Sequence, residues 1–180
     1  MDERARLIEI LKERSCRVGQ FTLASGKESD FYVDGRQTTL NAEGSWLIGR
    51  QVLAALKPEV AGVGGETLGA DPIATAVSVA SWEAGRPVHA FLVRKAAKGH
   101  GTKRFVEGRS SLPSGSKVCI VEDTTTTGNS LLRAIERATA EGLEVIQVLV
   151  IVDRQEGAAE RLAAEGFTME SLFTRAELVQ

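Results

Sequence analysis

Of the segments between four short apolar runs rich in β-branched residues, Val60–Val63, Val88–Val93, Val118–Val121 and Val145–Val152, the first and last have helical patterning and the middle one, 94–116, is polar without periodicity. Parallel strands need a long crossover between them, and that crossover is usually a helix. Strands alternating with helices therefore predict an α/β fold: a mostly parallel central sheet with helices on both faces. The chain has 180 residues, and no linker, repeat or low-complexity tract divides it. One domain over 1–180 is expected, with a helix and two hood strands in 1–40 and the α/β core in 41–180.

Capping chemistry marks where the helices begin. Asp2 precedes an amphipathic stretch over 2–15 that places Leu7, Ile8 and Leu11 on one face. Asn41 precedes a helix running to about Leu56. Asp71-Pro72 offers an N-cap followed by a first-turn proline, for a helix to about Ala84 that Gly85 ends. Further helices are expected at 129–140 and 156–165, before a short segment ending at Phe173. Residues 18–34 read as two short strands around Ser25-Gly26.

Composition narrows the function classes. Apolar residues make up 43% and charged residues 26%, which is globular usage. A net charge of −2 lacks the basic excess of a general nucleic-acid binder. No apolar run approaches the roughly 20 residues needed to span a bilayer. The opening MDERARL has no apolar signal core, and Cys16 and Cys119 can neither build a disulfide framework nor ligate a metal by spacing. A cytoplasmic enzyme with no membrane or nucleic-acid partner is expected. The small net charge hides an acid-free stretch between Glu83 and Glu107 that holds Arg86, Arg94, Lys95, Lys98, Lys103 and Arg104.

Ligands of open parallel sheets bind beyond the carboxyl ends of the strands, and three informative segments follow expected strands. In Val118-Cys-Ile-Val-Glu-Asp-Thr-Thr-Thr-Thr-Gly-Asn-Ser130, a strand delivers two carboxylates, four hydroxyls and a helix start. Backbone N–H groups at such a start bind phosphate. The acids cannot face that phosphate, so they suit ribose hydroxyls or a magnesium ion. The plain alternative is a polar turn capped by Asp123 or Thr127. Gly62-Val-Gly-Gly-Glu-Thr-Leu-Gly69 reads as a glycine-rich loop that lets backbone approach a ligand. Arg94-Lys-Ala-Ala-Lys-Gly-His-Gly101 opens a polar stretch over 94–116, and its cations suit a diphosphate leaving group. Neither a Walker pattern nor a dinucleotide fingerprint occurs.

Val-Glu-Asp-Thr-Thr-Thr-Thr-Gly resembles the phosphoribosyl-diphosphate (PRPP) motif of type I phosphoribosyltransferases. Phe21-Thr-Leu-Ala-Ser-Gly-Lys-Glu-Ser29, Arg94-Lys-x-x-Lys-x-His-Gly101 and Val152-Asp-Arg-Gln-Glu156 are similar to signatures of the orotate branch of that family. The resemblance spans nearly the whole chain. It implies transfer of phosphoribose from PRPP to N1 of orotate, giving orotidine 5′-monophosphate and diphosphate on the route to UMP. It also implies Mg2+ brought in through PRPP with no direct protein ligand, and a homodimer whose mobile loop, about 94–110, closes over the partner's site.

By position, the resemblance assigns PRPP binding to Arg94, Lys95, Lys98, His100, Glu122 and Asp123. Lys98 and His100 would stabilise the departing diphosphate, and Asp123 joins them as a catalytic candidate. Thr124, Thr125, Thr126, Thr127, Gly128, Asn129 and Ser130 would cradle the 5′-phosphate. Arg154, Thr126 and Lys27 would contact orotate. Glu66 stands in a loop where some members carry a lysine, and it is expected to point away from the ligand. A purine or xanthine phosphoribosyltransferase is the enzymatic rival, and a non-catalytic nucleotide-binding regulator of the same fold is the other. Arg154 favours orotate, because a cation answers a carboxylate that purines lack.

Overall fold

In a computed structural model, the chain is described over residues 2–22, 28–96 and 104–179. Helix α1 (Glu3–Ile10) starts at Asp2, whose side chain accepts from the Arg4 amide, and continues as a π-helical turn over Leu11–Ser15. Strands β1 (Cys16–Thr22) and β2 (Glu28–Val33) form a separate antiparallel pair. The expected turn at Ser25-Gly26 lies outside the described residues. A short helix α2 (Arg36–Thr39), unforeseen in the sequence, precedes α3 (Ala42–Ala55), which Asn41 caps through the Gly44 amide.

The core repeats strand and helix: β3 (Gly62–Glu66), α4 (Ala70–Glu83), β4 (His89–Val93), β5 (Val106–Glu107), β6 (Lys117–Thr125), α5 (Asn129–Ala140), β7 (Glu144–Asp153), α6 (Ala158–Ala164), β8 (Met169–Thr174) and α7 (Arg175–Leu178). The sheet order is β5-β4-β3-β6-β7-β8, parallel throughout except for β5 against β4. The chain moves outward from β3 to β4 and β5, then crosses back to place β6 on the other side of β3. This reversal makes the carboxyl ends of β3 and β6 the switch point, where such sheets open a crevice.

Side-chain alternation along the strands fills two cores. Val63, Cys119, Val121, Leu149 and Ile151 pack under α1, α3 and α4. Phe91, Val93, Val118, Ile120, Val148 and Val150 pack under α5 and α6. Both faces of the sheet are therefore dry, which is why these strands read as near-continuous apolar runs.

Four expectations are corrected. The glycine run is mostly strand, since β3 occupies Gly62–Glu66. A Cβ at Gly64 would overlap the Phe91 carbonyl, and one at Gly65 the Val121 carbonyl. Close packing between neighbouring strands, more than approach to a ligand, explains those two glycines. Asp71 is not the N-cap of α4, because the helix begins at Ala70 with Gly69 as cap and no side-chain bond. The acidic pair lies within β6, which runs to Thr125 and not only to Val121. Finally, the 94–116 stretch carries regular structure in its later half: Val106–Glu107 pairs with β4, a 3-10 turn covers Arg109–Ser111, and Leu112 is buried.

Candidate active site

A cleft of about 340 Å³ opens at the carboxyl ends of β3 and β6. Of the residues singled out in the sequence, Lys95, Glu122, Asp123, Thr124 and Ser130 line it. Because β6 stays extended through Thr125, consecutive side chains alternate faces. Asp123 and Thr125 are buried, whereas Glu122 and Thr124 are half-buried. Gly128 then turns the chain with φ 74°, a conformation that favours glycine, and α5 begins at Asn129.

Burial governs both carboxylates. Glu122 is pushed up to about 7, first by burial and further by the neighbouring Asp123 and Glu66 charges, while the Ser130 hydroxyl opposes the shift. Ser130 Oγ lies 2.7 Å from Glu122 Oε2. Asp123 is likewise raised by burial, partly offset by the Thr124 amide and by the Arg36 charge. Its side chain lies between two glycines: a Cβ on Gly69 would stand 2.5 Å from Oδ1, and one on Gly35 would stand 2.8 Å from Oδ2. A carboxylate pair raised mainly by burial, with no side-chain ion pair of its own among the described residues, is suited to hydroxyl donors or to a bound cation. Among the described residues, no group of three His, Cys, Asp or Glu side chains is placed to hold a metal ion.

Glu66 does not point away from the cleft, since it is part of the wall. Its carboxylate is instead neutralised in place. Arg133 donates from Nε and Nη2 to its two oxygens at 2.9 Å each, and Arg137 Nη1 lies 3.4 Å from Oε2. Arg133 above all holds Glu66 below the usual carboxylate range. The segment that follows, Thr67–Gly69, contains a cis peptide between Thr67 and Leu68 and forms the next part of the wall.

Other candidates lie nearby but outside the cleft wall. Arg94 is turned toward the return strand, with Nη1 3.2 Å from Glu107 Oε1. Thr126, Thr127 and Asn129 sit on the turn into α5, with Thr127 and Asn129 exposed. The Thr125 hydroxyl is buried with no hydrogen-bond partner among the described residues. Arg154 follows β7 beside Thr125. It is buried, donates through Nε to Glu156 at 2.9 Å, and donates through Nη2 to the Phe31 carbonyl at 3.3 Å. Lys27, Lys98 and His100 lie outside the described residues.

Sequence reading missed Arg36 and Arg133. Arg36 lines the cleft, paired with Asp34 at 2.9 Å. Arg133 is three residues beyond Ser130 on α5, so helical spacing from the phosphate motif already placed it on the cleft side.

The phosphoribosyl transferase domain model matches residues 66–176. The orotate phosphoribosyltransferase of Nostoc sp. is 45% identical over 177 residues, covering 98% of this chain and 85% of that protein. The Mycobacterium tuberculosis orotate phosphoribosyltransferase in complex with Fe(III) dicitrate superposes with a TM-score of 0.84 at 46% identity, covering 99% of each chain. The same enzyme in complex with PRPP gives a TM-score of 0.80 at 42% identity, again covering 99% of each.

Proposed function

The chain belongs to the orotate phosphoribosyltransferases, and from that membership we propose that it transfers the 5-phosphoribosyl group of PRPP to N1 of orotate, giving orotidine 5′-monophosphate and diphosphate for pyrimidine synthesis. The observation that carries this reading is the acidic pair at the end of β6, half-buried Glu122 and buried Asp123, one turn from the start of α5. Carboxylates raised by burial accept hydrogen bonds from ribose 2- and 3-hydroxyls, while amides at the helix start and the Thr124–Ser130 hydroxyls receive the 5-phosphate.

Breaking the C1–O bond of PRPP builds positive charge on the ribose ring and negative charge on the diphosphate. Lys95 in the cleft answers the diphosphate, and Lys98 and His100 are assigned the same work by the family resemblance. Asp123, held between Gly35 and Gly69, fixes the ribose so that N1 of orotate meets C1 in line. Arg154, at the end of the neighbouring strand, is the cation assigned to the orotate carboxylate. Two carboxylates are too few to hold Mg2+ alone, which fits an ion that arrives on PRPP. When bound, it would neutralise diphosphate charge.

We further propose that the enzyme is a cytoplasmic homodimer. The two cysteines are free thiols, and among the described residues no helix is long and apolar enough to cross a membrane. A groove of about 1050 Å³ between α3 and α4 is lined by Trp46, Leu68 and Val79, all more than half exposed. Thr39 Oγ1 and Asp71 Oδ1 at this groove are buried without a partner among the described residues. Asp34, Arg36 and Leu68 belong to both the groove and the cleft, so a second copy seated there would border the active site.

Orotate consumption followed at its ultraviolet band tests the reaction. Turnover that requires both PRPP and Mg2+ is expected. Turnover of a purine in place of orotate would move the assignment to the rival base class.

A further inference from the structure

Helix α5 and its C-cap carry Arg133, Arg137 and Glu141 at four-residue spacing, one above the other on a single face. Arg137 reaches three separate segments. Nη1 donates to the Arg94 carbonyl at 2.8 Å and lies 3.4 Å from Glu66 Oε2, while Nη2 donates to the Lys95 carbonyl at 3.3 Å. Its guanidinium also stands 4.6 Å from the centre of the Phe105 ring. Glu141 takes the other side: its Oε1 accepts the Phe105 amide at 2.7 Å and the Val106 amide at 3.0 Å. The chain that leaves β4 and the chain that returns into β5 are thus held by two side chains one helical turn apart.

Helix stability does not account for this arrangement. Glu141 is the C-cap of α5, where a carboxylate meets the unfavourable end of the helix dipole. Arg137 spends its donors on main-chain carbonyls of Arg94 and Lys95, outside its own helix. Arg137 is instead matched to the cleft wall, where Lys95 and Glu66 follow and end the neighbouring strands β4 and β3; it bonds the Lys95 carbonyl and meets the Glu66 carboxylate, while Glu141 holds the returning chain at Phe105 and Val106.

We infer that Arg137, seconded by Glu141, is a positioning residue for PRPP: beyond the end of the β3–β4 pairing it fixes the Lys95 main chain against the Glu66 carboxylate in the cleft wall. This rests on the PRPP-binding reading above. Arg137 itself is not part of the cleft wall. Its effect is exerted by main-chain bonds that only a planar, multi-donor cation can make together.

The test is steady-state kinetics with both substrates varied, together with calorimetric PRPP binding and thermal unfolding. Arg137→Ala is expected to raise the KM for PRPP about tenfold, the loss of one charged hydrogen bond. The KM for orotate should stay unchanged, since Arg154 lies on a different strand. Arg137→Lys, which keeps the charge and loses the fork, should recover only part of the loss, and Glu141→Ala should reproduce the split between substrates. If Arg137→Ala does not fold, Arg137→Lys and Glu141→Ala read the same split. A PRPP KM unchanged in these variants, or both KM values rising together with a falling melting temperature, overturns the positioning role. A wild-type chain that neither binds PRPP nor consumes orotate overturns the functional reading and this role with it.

Discussion

Ser130 Oγ donates to Glu122 Oε2 at 2.7 Å, joining the first turn of α5 to the last residues of β6. That bond favours the ionised carboxylate, yet burial wins and raises Glu122 from an ordinary 4.5 to about 7. A carboxyl raised on folding contributes stability below its unfolded value and loses it as pH climbs through the folded one. The folded state should therefore weaken between about pH 4.5 and 7, by about 3 kcal/mol for a shift of this size. Glu122→Gln is expected to be more stable than wild type at pH 8 and equal to it near pH 4 in urea titrations. The same variant should bind PRPP weakly, with a flatter pH dependence than wild type between pH 6 and 8.

Glu66 has the opposite slope. Arg133 lowers its carboxyl, so its contribution is present above the unfolded value near 4.5 and is lost as pH falls through the depressed one. Glu66→Gln breaks the fork to Arg133 while keeping the volume. Arg133 is half exposed and can turn to water, so the expected loss at pH 7 is about 1–2 kcal/mol. Chemical denaturation at pH 7 and pH 3 should show that difference shrinking at the lower pH.

The two acids illustrate what the linear chain reveals. Glu122 and Asp123 are legible because an apolar run, an acidic pair and a hydroxyl-rich turn are contiguous, and the fold keeps them so. Asn129–Ala140 matches the expected helix at both ends, since its periodic face and the flanking glycines agree. Glu66 misleads because its partners, Arg133 and Arg137, are about seventy residues away and only the sheet crossing brings them together. The expected strand at Val60–Val63 is displaced to Gly62–Glu66 for another reason: glycine has low β propensity, and only the closeness of the neighbouring carbonyls makes it necessary at Gly64 and Gly65. The end of the acid-free stretch is likewise held from afar, where Glu141 after α5 accepts the Phe105 and Val106 amides.

Gly64 and Gly69 should respond differently to alanine. At Gly64 the obstacle is the main-chain carbonyl of Phe91 in β4, which cannot retreat without breaking strand pairing. Gly64→Ala should cost about 3 kcal/mol in urea titrations, as overpacking of a rigid site does. At Gly69 the obstacle is the Asp123 side chain, which can rotate. Gly69→Ala is expected to unfold nearly like wild type while PRPP affinity, read by calorimetry, falls about tenfold as a carboxylate–hydroxyl bond is misdirected.

The groove between α3 and α4 sets an assembly prediction. Val79 is 57% exposed there and belongs to no other contact the site needs. Val79→Glu places a charge on an apolar face, and sedimentation should show the dimer proposed for the wild type replaced by monomer. Mixing inactive Lys98→Ala and Asp123→Asn subunits should restore part of the activity, because one of two sites then receives intact groups from both copies. Mixed dimers that form without recovering activity would show that each subunit is complete in itself.

Arg154 is the cation proposed to read the orotate carboxylate, and its environment defines the control. Its guanidinium is already engaged by Glu156 and the Phe31 carbonyl, so it is pre-oriented and loses little entropy when it meets a planar carboxylate. Arg154→Ala should raise the KM for orotate by about tenfold to a hundredfold, the range for a charged hydrogen bond, and leave PRPP binding near wild type. Truncation also leaves the Phe31 carbonyl and Glu156 without that donor, which lowers stability. Arg154→Lys therefore serves as the second variant, since it retains the charge and most of the packing but cannot bind a carboxylate in two-pronged fashion. Equal orotate KM in wild type and both variants, at unchanged melting temperature, would place orotate recognition on other residues.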